Sequence, residues 1–353
     1  MLKLLGDLAK LHGPPGQEND VIEYVYRYWQ EIGFDVKKDP KGNVVVEING
    51  VDVSTDKPTI ALLAHMDEVA MMVTAVEQNG LISIGGLGGI FPAKIGEGPV
   101  DILSPEGAIP GILSMQSIHA DNVIGNNEYP YIKSMGWDST RIFTGLSQRE
   151  LKNAGIRPGT RVCVSRSRKE LFDLGSFVGG YAFDDRAFLA VLLELSRLFR
   201  EERNTKLHLC FAATVSEEVK GHGALFLTHH LKPTIAVALD VLPIGGEGGS
   251  PSLDSVPGAW VRDGQCLYDQ GELNRINRCF ERLKFEPRWV MAASGATDAG
   301  FAVANGHAAK AVGFGIPVAN IHGFEIIHKE ALDNLLNLVL TYLDILNNEI
   351  FEE

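Results

Sequence analysis

The sequence predicts an α/β fold, a mostly parallel sheet with helices on both faces, interrupted by an inserted small β-barrel domain. Three observations carry that prediction. Short apolar runs at 59–64, 207–215, 234–239 and 310–316 alternate with segments of helical periodicity. Between Val69 and Ser167 the alternation gives way to short β-like pieces broken by turn residues. The chain has 353 residues, more than one hydrophobic core usually serves, so two units or one unit with a large insertion are expected.

Taken in order, Leu4, Leu5, Leu8 and Leu11 fall at helical spacing, as do Ile22, Val25, Trp29 and Ile32 up to Gly33, a natural helix stop. Two short amphipathic helices therefore open the chain. Asn43 to Ile48 is a β-branched strand, and Thr59 to Ala64 is a continuous apolar strand of the kind covered on both faces. In the turn-rich stretch, Asn79-Gly80, the glycines from Gly85 to Gly89, Pro105-Glu106-Gly107 and Pro158-Gly159 suggest a small barrel or sandwich. The expected division is a main unit of 1–68 with 168–353, and an insertion at 69–167. After Gly179-Gly180, Ala187 to Phe199 reads as a helix, Leu207 to Val215 as a strand, Ala224 to Leu231 as a short helix, and Thr234 to Leu239 and Lys310 to Ile316 as strands. Gly245 to Ser252 reads as a flexible loop, and Leu332, Leu335, Val339, Leu343 and Leu346 line one face of a closing helix.

Composition narrows the function. A formal net charge of −13 disfavours nucleic-acid backbones, whose non-specific partners cluster Lys and Arg. No run approaches the roughly 18 apolar residues of a membrane span, so no membrane partner is expected. Met1 to Leu11 is broken by Lys3, Asp7 and Lys10 and does not read as a signal peptide. The four cysteines, Cys163, Cys210, Cys266 and Cys279, are scattered without a Cys-x-x-Cys pair, which argues against a disulfide framework or a thiolate metal site. A cytoplasmic protein with reduced thiols is the expectation.

The chemistry gathers at the ends of elements. Thr214-Val215-Ser216-Glu217-Glu218 sets two acids directly after an apolar strand; other ends carry His65-Met66-Asp67, Asp184-Asp185, Asp240 and His322. In open α/β sheets the ligand crevice lies beyond the carboxyl ends of the strands. A lone Glu-Glu pair is usually a solvated loop start, and a lone His-x-Asp is usually structural. Their joint recurrence points to a metal site of imidazole and carboxylate ligands. The candidate ligands are His65, Asp184, Glu218, Asp240 and His322. Five ligands suit two metals bridged by one carboxylate, with Asp184 as the natural bridge. Asp67 could accept the second imidazole N–H of His65, and Glu217 could carry the proton from water to a leaving amine.

At these residues the sequence resembles one family. Ala64-His65-Met66-Asp67-Glu68, Ala182-Phe183-Asp184-Asp185-Arg186, Ser216-Glu217-Glu218-Val219, Ala238-Leu239-Asp240-Val241 and Ile321-His322, with Lys41-Gly42-Asn43 and Ala296-Thr297-Asp298-Ala299, are similar in order to the glutamyl and deblocking, or tetrahedral (TET), aminopeptidases. The resemblance implies a zinc-exopeptidase-like fold and a peptide substrate. It also implies two divalent ions, zinc first with cobalt or manganese admissible, on residues matching His65, Asp184, Glu218, Asp240 and His322. Glu217 would be the general base and Asp67 the acid that orients His65. Homo-oligomers, commonly dodecamers, assemble in that family with the help of the β insertion.

The chain departs from the family pattern in places. Ala319, Asn320 and Gly323 stand around His322 where the family usually has Arg, Tyr and Ser. Lys220-Gly221-His222 replaces Gly-Leu-Arg, and Ala296 replaces Gly. His119, His222 and His328 remain without a role, with His119 the best substrate-side candidate because it lies in the insertion. A carboxypeptidase or deacylase on the same ligands is the first rival; a glycosidase with paired carboxylates and a non-catalytic assembly subunit are the others.

Overall fold

The computed structural model describes residues 1–50, 59–115, 136–201, 205–245, 248–250, 252–292 and 294–349. His119 lies outside the described residues, as do 246, 247 and 251 of the glycine-rich loop.

An eight-stranded sheet runs in the order Lys37–Lys38, Val44–Ile48, His208–Thr214, Thr59–His65, Ile235–Leu239, Lys310–Gly315, Gly258–Arg262 and Trp289–Met291. Its four central strands are mutually parallel, with Thr214 opposite His65. The pairs of Val44–Ile48 with its neighbours and of Gly258–Arg262 with Lys310–Gly315 are antiparallel. Central strands buried on both faces cannot show a polar alternation, which explains their near-continuous apolar sequence.

The two faces are packed differently. Ile60, Leu62, Leu209, Phe211 and Val237 face the helices Leu2–Ala9, Asn19–Glu31, Phe183–Glu201, Gln270–Leu283 and Ala331–Glu349. Ala61, Cys210, Ala212, Ala236 and Ala238 face the short helices His222–Leu231 and Asp298–Ala304. Small side chains let these short helices approach closely, and the large face supplies most of the apolar burial, about 1.5–3 kcal/mol for each Leu, Ile or Val fully removed from water. Trp29, fully buried on the large face, donates its indole N–H to Ser196 Oγ at 2.7 Å.

The insertion is a closed barrel, resolving the choice between barrel and sandwich. Its strands run in the order Ala70–Val76, Ile82–Leu87, Arg141–Phe143, Gly107–Ser114, Gly98–Ser104 and Arg161–Val164. Met71, Val73, Ile84, Val100, Ile102, Leu113, Ile142 and Val162 fill its interior. At Gly111 a Cβ would stand 2.5 Å from the Ile142 side chain, so closure here requires glycine.

Asp184 does not follow a strand of the main sheet. The strand before it, Phe177–Gly180, pairs antiparallel with Phe172–Leu174 and Glu325–His328 in a separate sheet. The Phe183–Glu201 helix has non-helical backbone at Asp184 and Asp185, so its regular part begins where the apolar pattern from Ala187 does.

Candidate metal centre

The Thr59–His65 strand is held centrally by two parallel neighbours, and its last residue, His65, is 3 % exposed. Its backbone N–H donates to Asp185 Oδ2 at 2.7 Å. Its Nε2 stands 3.1 Å from Asp184 Oδ1 and 3.9 Å from Glu217 Oε2. On the other side of the ring, Nδ1 is 3.2 Å from the Asp67 carbonyl oxygen and 3.5 Å from Asp67 Oδ1. The Asp67 carboxylate also accepts the backbone N–H groups of Glu217 at 2.8 Å and Glu218 at 3.0 Å, so one buried acid touches both the imidazole and the turn that carries the acid pair.

That turn leaves the neighbouring strand His208–Thr214 and reverses at Ser216, whose φ is 58°. Glu18 accepts both the Ser216 N–H at 3.1 Å and its hydroxyl at 3.0 Å. From the opposite side, His322 arrives on the loop after Pro317–Val318 with φ 64°. Its Nε2 lies 3.5 Å from Asp184 Oδ2 and 3.4 Å from Glu218 Oε1, while its backbone N–H donates to Glu325 Oε1 at 2.9 Å.

Ligand-capable atoms within 4.8 Å of one another therefore form two groups, His65 with Asp184, Asp185 and Asp240, and Asp184 with Glu218 and His322. Asp184 belongs to both, one carboxyl oxygen toward each imidazole. All seven residues singled out in the sequence meet in this cleft. Three that were not assigned a role meet them there: Asp185, Glu325 and Asp298. Glu325 also accepts the N–H groups of Phe183 at 2.6 Å and Asp184 at 3.2 Å, and Asp298 accepts the Thr214 hydroxyl at 2.5 Å. The adjacency of Asp185 to Asp184 and the His-x-x-Glu spacing of His322 and Glu325 were available signals; nothing local marks Glu18.

The electrostatics are those of a cluster short of positive charge. Burial, with the carboxylates around them, pushes Glu217 and Asp240 well above the usual carboxyl range. Burial likewise pushes Asp298 up to about 6 and Glu325 up to about 8. Burial alone would lower the imidazoles. Asp185, Asp184 and Asp67 instead hold His65 well above its ordinary value, and Asp184 and Glu218 push His322 up to about 12. Among the described residues, Glu218 Oε1 and Asp185 Oδ1 are buried with no hydrogen-bond partner. Oxygen and imidazole donors with unanswered negative charge fit borderline divalent cations such as zinc, cobalt or manganese. The contrasting group His12, Glu68 and Cys163 does not fit one, because the Lys169 ammonium already bonds both Glu68 oxygens at 2.6 Å.

The cluster forms the floor of a cavity of about 880 Å³. Leu225, Val241, Trp260, Phe301 and Ile321 give it apolar walls, and Lys220, His222 and Gln265 add polar groups. His222 is thus a wall residue, whereas His328 packs edge-on against Phe177 with ring centroids 5.0 Å apart, away from the cleft.

Residues 42–338 match the M42 glutamyl aminopeptidase family. The glutamyl aminopeptidase of Lactococcus lactis subsp. cremoris is 26% identical over 91% of this chain and 89% of its own. Among solved structures, a TET aminopeptidase from a marine sediment Thaumarchaeota archaeon superposes with a TM-score of 0.85 at 22% identity, covering 99% of this chain and 98% of that one. The TET1 peptidase of Pyrococcus horikoshii, described as assembling into a tetrahedron or a large octahedral shell, superposes with a TM-score of 0.83 at 22% identity, covering 96% and 98%. No helix among the described residues is long and apolar enough to cross a membrane.

Proposed function

Because this chain belongs to the M42 glutamyl aminopeptidase family, we propose that it is a dinuclear metalloaminopeptidase that removes the first residue of peptides bearing a free amino terminus. The observation that carries the reading is the pair of ligand groups joined through Asp184. His65, Asp184 and Asp240 would hold one ion, and Asp184, Glu218 and His322 the other. When bound, such a pair lowers the pKa of a shared water and polarises the scissile carbonyl.

The chain's own groups do the rest. Glu217 belongs to neither ligand group, and its Oε2 is 3.9 Å from His65 Nε2, within a water's reach of the cluster. It is the carboxylate suited to take the proton from the attacking water and hand it to the leaving amine. Asp67 fixes the Glu217 and Glu218 backbone, so one side chain can serve as ligand and its neighbour as base. The acidic floor also favours a cationic α-amino group over a blocked one. Residues 1–68 and 168–353 would form the catalytic unit and 69–167 an assembly and access unit. A homo-oligomer is the proposed state, in keeping with the shells formed by the Pyrococcus horikoshii relative.

The test is a panel of aminoacyl-anilides, free and N-acetylated, assayed before and after chelation. Activity on free amines alone, lost with the metal and restored by zinc, cobalt or manganese, is the expected result. Full activity in metal-free protein would overturn the proposal.

A further inference from the structure

The glycine turn that closes the barrel strand Ile82–Leu87 reaches out of the barrel and into the metal centre. The Gly89 carbonyl oxygen lies 2.7 Å from His322 Nδ1. A carbonyl can only accept, so Nδ1 must carry the proton and a neutral imidazole keeps its lone pair on Nε2. That is the nitrogen facing Asp184 and Glu218. The fit around this contact is tight. A Cβ on Gly89 would stand 3.3 Å from His322 Cε1 and 3.4 Å from Nδ1, and one on Gly88, where φ is 92°, would stand 3.4 Å from Glu218 Cβ and Oε2. A few residues on, Lys94 Nζ donates to the Ile321 carbonyl at 3.1 Å, and the Lys94 carbonyl would lie 3.1 Å from a Cβ on Gly323.

We infer that the barrel segment Gly88 to Lys94 is a positioning device for one of the two metal sites: the Gly89 carbonyl fixes the tautomer and aim of His322, and Lys94 clamps the loop that carries it. At the other site, among the described residues, the imidazole is held from within the main unit: His65 Nδ1 faces Asp67 two residues along its own chain. The inference rests on the dinuclear reading proposed above. Outer partners of ligating histidines typically change metal affinity by 10- to 100-fold.

The experiment titrates zinc into chelator-treated full-length chain, read by calorimetry and by bound metal after dialysis, for the wild type, Gly89→Val and Lys94→Met. Nitrogen NMR of the histidine rings follows the tautomer in the same samples. The expected result is two zinc ions in the wild type with a His322 ring protonated on Nδ1. Gly89→Val should weaken one ion by about 10- to 100-fold and leave the other unchanged, and Lys94→Met should weaken the same ion by up to about tenfold. Lys94 is exposed, so its variant decides the matter if Gly89→Val does not fold. Two unchanged affinities in the folded variants overturn the inference and leave the dinuclear reading intact. Equal weakening of both ions, with unaltered thermal unfolding of the metal-free protein, overturns the site selectivity. A wild type that binds fewer than two ions overturns the dinuclear reading, and the inference with it.

Discussion

His65 and His322 approach the same carboxylate from opposite sides, but they are held by different kinds of structure. His65 ends a central strand, has 3 % of its side chain exposed, and is fixed by its backbone N–H to Asp185 at the start of the Phe183–Glu201 helix and by its ring to Asp67 two residues on. His322 sits on a loop with left-handed backbone, has 24 % of its side chain exposed, and leans on a carbonyl from the barrel 233 residues away in sequence. The strand side is preorganised by burial, whereas the loop side is assembled from two parts of the chain. Rigid placement on regular elements is what a ligand set needs, and only half of this cleft has it by itself.

The largest expected effect breaks the strand side from beneath. Lys169 and Arg186 are fully buried beside Glu68, the residue after Asp67, and Arg186 Nη1 also donates to the Met66 carbonyl. Burial alone would raise the Glu68 carboxyl, but Lys169, Arg186 and His12 hold it below its usual value. Lys169→Met removes the main counter-charge and should cost about 3–5 kcal/mol of unfolding free energy at neutral pH. The sign with pH follows from the shift. In the wild type the depressed Glu68 pKa contributes stability that is present above the ordinary carboxyl range near 4.5 and lost as pH falls through the lower folded value. In the variant a protonated Glu68 no longer needs its partner, so the deficit should shrink on acidification. Urea unfolding at pH 7 and at about pH 4 checks both statements, and a deficit that is constant across that interval would refute the account.

The next effect separates function from support on the acid pair. Glu217→Gln should leave both ions bound and KM near normal while kcat falls by about a hundredfold or more. Glu218→Gln should instead weaken the ion shared with His322, since an amide is a poorer ligand than a carboxylate. Steady-state kinetics with bound-metal analysis distinguishes them. Equal metal loss in the two variants, or near-normal turnover in Glu217→Gln, would show that the roles are exchanged or absent.

The same contrast explains what could be read from sequence. The central strands were legible because burial on both faces leaves continuous apolar runs, and the proposed ligands were legible because each sits at the end of such a run or in a short turn. The Gln270–Leu283 helix was not, although Asp269 caps it by accepting the Glu272 N–H at 3.1 Å and Leu273, Ile276, Phe280 and Leu283 pack against the core at helical spacing, because charged and polar residues fill most of the positions between them. The short Asp298–Ala304 helix was read only as a motif, its seven residues being too few to show a period. In the cleft, Glu18 and Gly89 were invisible for a different reason. Each acts on a residue some two hundred positions away, on Ser216 and on His322, and no local pattern reports a contact that only the closed barrel and packed sheet create.

The smallest effect tests whether the acid turn belongs to the sheet. Asn43, fully buried at the start of an edge-side strand, accepts the Val215 N–H at 3.0 Å and donates to the Gly223 carbonyl at 2.9 Å and to Asp39 Oδ2 at 2.6 Å. It thus spans the whole turn that holds Glu217 and Glu218. Asn43→Ala removes the Asn43 acceptor from the buried Val215 N–H and the Asn43 donor from the Gly223 carbonyl, which should cost about 1–3 kcal/mol of stability. Because the turn is also held by Asp67 and Glu18, both ions should remain bound, with zinc affinity at the His322 side changed less than by Gly89→Val. Asn43→Asp sharpens the test: it keeps an acceptor for Val215 but loses the donor to Gly223 and turns a carboxylate toward Asp39, so it should be at least as destabilising as alanine. An aspartate variant as stable as the wild type would mean that acceptance from Val215 alone secures the turn.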